Sequence, residues 1–383
     1  MTHLFNSKKL LKDFKRIYKK KNNPLHAPSF DNSDLKSMTT CLKSTYVSTY
    51  GSKTMEFERQ IAKFTGSKYV VCTSSGTAAI HVSLLLAGVK MNEEVILPSF
   101  NFVASANAIT YCNAIPHFID VDEESLSIEP NYLEKYLQKQ RRKFNFTFNR
   151  KTGRKIGALI LPHLFGFAAD SKKILKVLKK YNIKLIEDAA EGLGVYIKNY
   201  HVGTVGKFGI LSFNGNKIIT TGGGGAILTQ NYKDYIKAKK LVSTNKIDHK
   251  WKYNYSGVGF NYRMPSINAS LGISQLQKIN KLIKKKEYNF KLINKYFKKH
   301  EFIKVKSPPK LIKSNYWLIN LVFQKKINFN KLLGQLNNNG IQARRAWCLI
   351  HKLKHFKKSP KSDLKNSIKL FNKIISIPSS SNI

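Results

Sequence analysis

Residues 68–89, KYVVCTSSGTAAIHVSLLLAGV, have the pattern of a short buried strand that leads directly into a helix. The first six residues are mostly apolar and β-branched, which is typical of a strand. From Thr77 onward the apolar residues continue for about three and a half helical turns. A strand, a helix and a second strand form a βαβ unit, and several such units predict a mainly parallel sheet with helices on both faces. The predicted fold class is therefore α/β.

The alternation of strand and helix continues through the following 120 residues or so. Further strands are predicted at 93–98, 114–120, 156–162, 183–189 and 208–213, and helices at 103–111 and 171–182. Residues 138–155 lie between two of these strands, are rich in Lys and Arg, and contain the turn sequence NRKTGR. We predict that this stretch forms an exposed hairpin or insertion.

The sequence pattern changes near Val258. A long Lys-rich stretch at 268–299 predicts a helix, and it is followed by an apolar run at 316–323 and a helix at 328–340. This order indicates a smaller α+β domain. We therefore divide the chain into an N-terminal basic segment (1–23), a large domain (24–257) and a small C-terminal domain (258–383).

Composition limits the class of protein. The 383 residues are 42% hydrophobic, which is enough for a large core. No apolar run approaches the roughly 20 residues of a membrane span, and the N-terminus has no secretory signal, so we expect no membrane span and a cytoplasmic protein. The four cysteines are scattered without a CxxC pair, which argues against a disulfide framework or a zinc site. We expect them to be reduced and structural.

The formal net charge of +45 raises the question of a polyanionic partner such as nucleic acid. The 67 basic residues include only nine arginines, and the lysines are spread from end to end. Abundant Lys, Asn and Ile together favour a compositional bias over a binding patch. Residues 1–22 present two alternatives: an amphipathic helix on a membrane surface, or a helix docked on the protein body, which we favour.

In an open parallel sheet, ligands bind at the carboxyl ends of the strands. The first predicted strand is followed by Ser74-Ser75-Gly76-Thr77 at a helix start, which suits either a phosphate site or an ordinary N-cap. After the second strand come Phe100 and Phe102, either of which could stack on a planar ligand or pack in the core. Asp188 follows a third strand, and Glu191 lies three residues further on. A carboxylate there is costly to bury without a cationic partner, which favours a functional role.

Lys217 stands in a distinctive setting within SFNGNKIITTGGGG (212–225). It follows a strand end, and the four glycines allow the backbone to bend tightly and approach a bound group. A single lysine in this chain would ordinarily be a solvated surface charge. However, a phosphate cradle, a stacking surface, a carboxylate and a lysine on one sheet edge together suit pyridoxal 5′-phosphate. A lysine amine forms a Schiff base with its aldehyde, and a carboxylate keeps its ring nitrogen protonated.

The sequence resembles the DegT/DnrJ/EryC1/StrS family of sugar aminotransferases, which use pyridoxal 5′-phosphate (PLP) and have the type I fold of aspartate aminotransferase. The resemblance extends from Pro24 to Ser380, and its motifs are SSGTAAIHVSLLLAGV, ILPSFNFVASANAI, IEDAAEGLG, SFNGNKIITTGGGG and GFNYRMPSINASLGISQL. The segments PLHAPSF, KTGRK and GIQARRAW are most similar to the branch that acts on UDP-linked 4-keto-6-deoxy-N-acetylhexosamines, as in the legionaminic acid and bacillosamine pathways.

The resemblance implies specific roles for the residues of the cofactor site. Lys217 would be the Schiff-base lysine, and Asp188 would pair with the pyridine nitrogen. Phe102 would stack on the ring, and Glu191 would lie near its O3′ side. The cofactor phosphate would be held by Gly76, Thr77, Ala78 and Ser212.

The resemblance also implies a homodimer with shared active sites, since Asn261 would reach the phosphate site of the neighbouring subunit. The segment GIQARRAW departs from the family pattern at Arg345-Ala346. The substrate-binding roles of Arg344, Trp347 and His351 therefore stay open.

The implied reaction transfers the amino group of L-glutamate through PLP to the C4 ketone of a nucleotide-linked sugar. Some family members have histidine in place of the Schiff-base lysine and act as dehydratases, so Lys217 favours amino transfer. The main alternative acceptor is GDP-4-keto-6-deoxymannose. A basic nucleic-acid-binding protein is the alternative from another class, but no recognised module supports it.

Overall fold

The computed structural model describes residues 7–382, and the elements in that part of the chain are numbered in order. The helices are α1 (Ser7–Ile17), α2 (Asn32–Lys43), α3 (Ser52–Thr65), α4 (Gly76–Leu86), α5 (Ala104–Tyr111), α6 (Pro130–Gln138), α7 (Ser171–Lys180), α8 (Tyr232–Val242), α9 (Ser266–Gln277), α10 (Ile279–Phe297), α11 (Phe329–Asn338) and α12 (Lys365–Phe371). The strands are β1 (Tyr69–Thr73), β2 (Glu94–Pro98), β3 (Ile115–Ile119), β4 (Arg141–Lys143), β5 (Phe146–Phe148), β6 (Ile156–Pro162), β7 (Lys184–Asp188), β8 (Tyr196–Ile197), β9 (Tyr200–His201), β10 (Phe208–Ser212), β11 (Gly225–Thr229), β12 (Lys246–Ile247), β13 (Asn254–Tyr255), β14 (Ile303–Val305), β15 (Ile312–Lys313), β16 (Ile319–Phe323), β17 (Arg344–Arg345) and β18 (Ile374–Ile377).

A seven-stranded sheet in the order β1-β11-β10-β7-β6-β2-β3 forms the centre of the large domain. The five strands from β10 to β3 in that order are parallel, whereas β11 pairs antiparallel with both β10 and β1. The carboxyl ends of β2, β6, β7 and β10 therefore meet at one edge of the sheet. The predicted α/β class with a mainly parallel sheet is confirmed.

Helices cover both faces of this sheet because its inner strands are apolar on both sides. In β6, Ala158 and Ile160 pack with residues of α4, α5 and α8. The alternate residues Leu159 and Leu161 pack on the opposite face against α6 and α7. Each fully buried aliphatic side chain contributes roughly 1.5–3 kcal/mol. The sheet is thus the middle layer of a three-layer domain.

The second sheet, β14-β16-β18-β17, is antiparallel and packs with α10, α11 and α1 in the C-terminal part of the chain. The single helix expected at 268–299 is instead two helices, which separate at Lys278 (φ −103°, ψ 4°). Helix α9 packs on the large domain, where a side-chain carbon on Gly272 would lie 2.5 Å from the Phe57 ring. The break lets α10 turn toward the small sheet.

Helix α1 docks on the protein body. Leu10, Phe14 and Tyr18 are buried in the core of the small domain, and the rings of Phe14 and Phe297 lie 5.5 Å apart. This face is therefore covered by protein, as expected for the docked alternative, although residues 1–6 of the basic segment lie outside the described part. Among residues 7–382, no helix combines the length and the apolar character that crossing a membrane requires.

The predicted hairpin is present as β4 and β5, which pair antiparallel. The stretch that follows is exposed at residues 150–154, as expected, but it is anchored, because Asn149 and Thr152 donate hydrogen bonds to the buried carboxylate of Glu94. His117 also contacts that carboxylate, at 2.7 Å. The insertion is thus tied to the starts of β2 and β3, at the end of the sheet opposite the ligand edge.

All four cysteines are free thiols, as expected. Three are buried and Cys348 is exposed.

The docking of α1 predicts a clear effect of Phe14→Ala. Phe14 is fully buried, so its removal leaves a cavity and should lower the free energy of unfolding by about 3–5 kcal/mol. Lys12→Ala on the exposed face of the same helix serves as the control and should change it by less than about 0.5 kcal/mol. Urea unfolding followed by circular dichroism measures both. Equal midpoints for the two variants would contradict the docking.

Candidate active site

A cleft of about 280 Å³ opens at the carboxyl ends of β6, β7 and β10. The last residues of these strands, Pro162, Asp188 and Ser212, all line it. Its other lining residues are Ser75, Gly76, Thr77, Ile80, Asn101, Phe102, Ala104, His163, Leu164, Ala190, Glu191, Asn214, Asn216, Lys217, Gly223, Gly224 and Trp347. This volume is near the lower limit for small-molecule sites in proteins.

The loop between β10 and β11 positions Lys217. The backbone N–H of Phe213 donates to the Gly224 carbonyl at 2.9 Å, which closes the loop at its base, and the Lys217 N–H donates to the Asn214 carbonyl at 3.0 Å. Gly222 has φ +79°, a conformation that strongly favours glycine. The side chain of Asn268 in α9 then holds the loop by donating to the Thr221 carbonyl at 2.6 Å.

The Lys217 amine lies among acidic and aromatic groups. Its Nζ is 3.8 Å from Oε1 of Glu191 and 4.2 Å from the centre of the Trp317 ring. Only 11% of the side chain is exposed. Burial lowers the pKa of Lys217, while the negative charges of Glu191 and Asp188 oppose that shift. The environment therefore makes the neutral amine more accessible than it is for a surface lysine.

Asp188 is fixed at the end of β7. The Ser105 hydroxyl donates to Oδ2 at 2.6 Å, and the Ala190 N–H donates to Oδ1 at 3.2 Å. Both oxygens therefore have a donor, which holds the carboxylate plane in one orientation. The carboxylate lines the same cleft as the Lys217 amine.

Glu191 is a buried acid beside the lysine. Its Oε2 accepts a hydrogen bond from the Phe165 N–H at 2.7 Å. Burial raises the pKa of Glu191 to about 7, and the nearby Lys217 opposes the shift. Its protonation therefore changes near neutral pH.

The start of α4 forms the end of the cleft that suits an anion. Gly76 and Thr77 line the cleft, and as first-turn residues their N–H groups have no partner within the helix. Ser212 lies against Gly76, where an added side-chain carbon would be 3.1 Å from its Cβ. A side-chain carbon on Gly225 would lie 2.5 Å from the Gly76 nitrogen, so β11 passes directly beneath the helix start.

Ala78 differs from its predicted role. It does not line the cleft, and its backbone N–H donates to the Ser75 hydroxyl at 3.1 Å as part of an N-cap. Ser75 therefore caps the helix, while Gly76 and Thr77 face the cleft. The phosphate-binding role of Gly76 and Thr77 stays a prediction.

The two phenylalanines that follow β2 have different positions. Phe100 is fully buried in the core. Phe102 is 49% exposed and lines the cleft, with its ring 5.2 Å from that of Trp347. Phe102 is therefore the aromatic that is free to contact a planar ligand.

Of the remaining predicted residues, Trp347 lines the cleft and the others do not. Asn261 is exposed, bridges to Ser243 and does not line the cleft of its own chain. His351 is hydrogen-bonded to the Ser99 hydroxyl at 2.6 Å. Arg344 lines a neighbouring cavity of about 150 Å³, and Trp347 lines both cavities.

Several residues of the site were not predicted from the sequence. Ser105 and Asn216 lie within the predicted motifs, but nothing in their spacing indicates a contact with Asp188 or the cleft. Trp317 comes from the small domain, one hundred residues after the lysine that it contacts. Only the packing of the two domains could have shown it.

The residues of the cleft fit PLP. Free N–H groups at the start of α4 suit its phosphate, and Phe102 offers a face to its ring. Asp188 supplies an oriented carboxylate for the ring nitrogen, and Lys217 supplies an amine for the aldehyde.

Comparisons with known proteins agree with this geometry. Residues 28–383 match the model of the DegT/DnrJ/EryC1/StrS aminotransferase family. The chain is 33% identical to EpsN of Bacillus subtilis (strain 168), which carries the provisional name of a pyridoxal phosphate-dependent aminotransferase, over 88% of this chain and 83% of that protein. It is 30% identical to the GDP-perosamine synthase of Vibrio cholerae over 86% of each chain.

A solved structure shows the same fold. Helicobacter pylori PseC, an aminotransferase involved in the biosynthesis of pseudoaminic acid, superposes with a TM-score of 0.86 at 24% identity, over 94% of this chain and 95% of that one. The predicted type I fold is thereby confirmed. The chain belongs to the DegT/DnrJ/EryC1/StrS aminotransferase family, and its cofactor is pyridoxal 5′-phosphate.

Proposed function

We propose that this enzyme transfers the amino group of L-glutamate to the C4 ketone of a nucleotide-linked 4-keto-6-deoxy sugar. The observation that carries the proposal is the convergence of the Lys217 amine, the Asp188 carboxylate and the start of α4 in one cleft. Each of the three suits a different part of PLP, and the family supplies the reaction type.

The proposed roles follow from position. Gly76, Thr77 and Ser212 would hold the phosphate, and Phe102 would stack on the ring. Asp188 would pair with the ring nitrogen. Bound PLP supplies an aldehyde for amino groups and a ring that accepts the electron pair of a carbanion.

Lys217 would act both as the attachment point and as the acid–base group. Once released, its Nζ would take a proton from the α-carbon of glutamate and later donate one to C4 of the sugar. Such positioned proton transfer contributes on the order of 10²–10⁴-fold in rate. Burial of Lys217 supports this role, because a lowered pKa increases the fraction of the amine that is neutral.

Glu191 would adjust the protonation of the Lys217 amine. When ionised it stabilises the ammonium form of Lys217 at 3.8 Å, and when protonated it no longer does so. The family resemblance would also place Glu191 near O3′ of the cofactor.

Two acceptors are supported by different observations. The segments PLHAPSF, KTGRK and GIQARRAW favour a UDP-linked 4-keto-6-deoxy-N-acetylhexosamine. The similarity to the GDP-perosamine synthase of Vibrio cholerae favours GDP-4-keto-6-deoxymannose. In both cases the product would be a 4-amino sugar for a surface glycan.

We further propose that the active unit is a homodimer with shared active sites. The hairpin formed by β12 and β13 presents an apolar aromatic surface, with Trp251, Tyr253 and Val258 each more than 70% exposed. Asn261 follows this hairpin directly and is exposed. A second subunit would cover the surface and bring Asn261 to the neighbouring phosphate site.

The central test is a panel of acceptors. Purified enzyme with PLP and L-glutamate is incubated with UDP-, GDP- and dTDP-linked 4-keto-6-deoxy sugars, and mass spectrometry detects the amino product. We expect one nucleotide class to be converted, and Lys217→Ala to abolish both turnover and the visible absorbance of attached PLP. If the wild-type protein binds PLP but converts no keto sugar, the proposed acceptor class is wrong.

The close packing of β11 against the start of α4 predicts a selective effect of Gly225→Ala on cofactor binding. The added carbon would lie 2.5 Å from the Gly76 nitrogen and must displace the helix start. We expect the PLP dissociation constant to rise by on the order of 10- to 100-fold. Gly215→Ala is the matched control, since it lies in the same loop with no atom within 4 Å of the added carbon. Absorbance titration measures the PLP affinity of both variants. Unchanged affinity in folded Gly225→Ala would refute a phosphate site at the start of α4.

The raised pKa of Glu191 predicts a pH-dependent stability of the cofactor-free protein. Between about pH 4.5 and 7 the folded state retains a proton on Glu191 that the unfolded state releases, so stability falls as pH rises through this window. Glu191→Gln cannot ionise and should remove a decline on the order of 2 kcal/mol. Denaturant unfolding at pH 5 and pH 7.5 measures the difference. Glu56→Gln, at a half-buried glutamate of an ion pair, is the control, and a decline that persists in Glu191→Gln would contradict the assignment.

A further inference from the structure

Trp317 is the aromatic residue that contacts the Lys217 amine. It lies between β15 and β16 and is 1% exposed. Nζ of Lys217 is 4.2 Å from the centre of its ring, well within the distance of a cation–π interaction. Because the contact is desolvated, it is stronger than the same contact at a protein surface.

Hydrogen bonds to its indole and to its backbone hold Trp317 in place. Its Nε1–H donates to the carbonyl of Asn216, the residue before Lys217, at 2.7 Å. Its backbone N–H donates to Oδ1 of Asn315 at 2.9 Å. The amide of Asn315 in turn donates to the Glu191 carbonyl at 2.9 Å. Trp317 and Asn315 together therefore connect to the backbones that carry the lysine and its acidic neighbour.

The third support comes from a buried lysine. Nζ of Lys286, on α10, donates to the Trp317 carbonyl at 3.2 Å and also to the Ser379 carbonyl. Burial lowers the pKa of Lys286 to about 7. Among residues 7–382 no carboxylate pairs with it, and a buried amine without a counter-ion costs stability. The hydrogen bond from the Lys286 amine holds the Trp317 backbone in position.

We propose that Trp317 is a positioning residue for the reaction: its indole face directs the Lys217 amine into the cleft and stabilises the ammonium that forms when that amine takes a proton. This inference rests on the role proposed for Lys217. In that step the C–H bond of the amino donor would break and its proton would move to Nζ, while bound PLP would supply the acceptor for the electron pair. Glu191 faces the new ammonium from one direction and the indole from another.

The test varies the electron density of the indole without changing its shape. Tryptophan bearing one, two or four fluorine atoms is placed at position 317 by nonsense suppression, which leaves the other two tryptophans unchanged. We expect the rate of the half-reaction with L-glutamate to fall stepwise with fluorination, by roughly 5- to 30-fold across the series. The isotope effect with α-deuterated glutamate should rise in parallel, because proton transfer becomes more rate-limiting.

Trp317→Leu and Phe290→Leu provide the control pair. The Phe290 ring packs against that of Tyr316, the residue before Trp317, with centres 4.8 Å apart, and is not in cation–π contact with Lys217. Trp317→Leu should raise the isotope effect, whereas Phe290→Leu should keep the wild-type value even if its melting temperature falls. A flat fluorination series would overturn the inference, whether or not the leucine variants fold.

Borohydride reduction separates this inference from the proposed function. Peptide mass spectrometry should find PLP trapped on Lys217 in the wild-type enzyme. If another residue is labelled, the proposed role of Lys217 is wrong. If Lys217 is labelled and the fluorinated series is flat, only the role of Trp317 is wrong.

Discussion

The structure depends on keeping one amine and two carboxylates close together where little water reaches them. Lys217 lies 3.8 Å from Glu191 in a cleft that Asp188 also lines, and all three side chains are largely buried. Burial alone would neutralise such groups, while their mutual attraction favours the charged forms. The balance leaves Lys217 with a lowered pKa and Glu191 with a raised one. Glu191 can then exchange a proton near neutral pH, and the neutral form of the Lys217 amine is more accessible than in a surface lysine.

The surrounding scaffold holds this balance by close backbone packing. Parallel strands deliver Asp188 and Ser212 to the same edge, and Ser105 from α5 orients the aspartate at 2.6 Å. Glycines are required where backbones nearly touch. A side-chain carbon on Gly225 would meet the start of α4, and one on Gly209 would lie 1.8 Å from the Gly203 carbonyl oxygen. The site therefore combines polar groups with positions where any side chain would force a rearrangement.

The small domain contributes to the site rather than only supporting it. Trp317 and Trp347 bring aromatic surface to the lysine and to Phe102, and their rings lie 6.2 Å apart. Lys286 and Asn315 hold the Trp317 backbone by hydrogen bonds.

The sequence by itself determined the α/β class, the central strands and the cleft positions of Lys217, Asp188, Glu191 and Phe102. These depend on local signals, because strand and helix periodicity shows where each strand ends and a parallel sheet brings those ends together. The break at Lys278 and the contacts of Trp317 were decided by the tertiary structure. They arise from packing between segments far apart in the chain, which no local pattern of residues encodes.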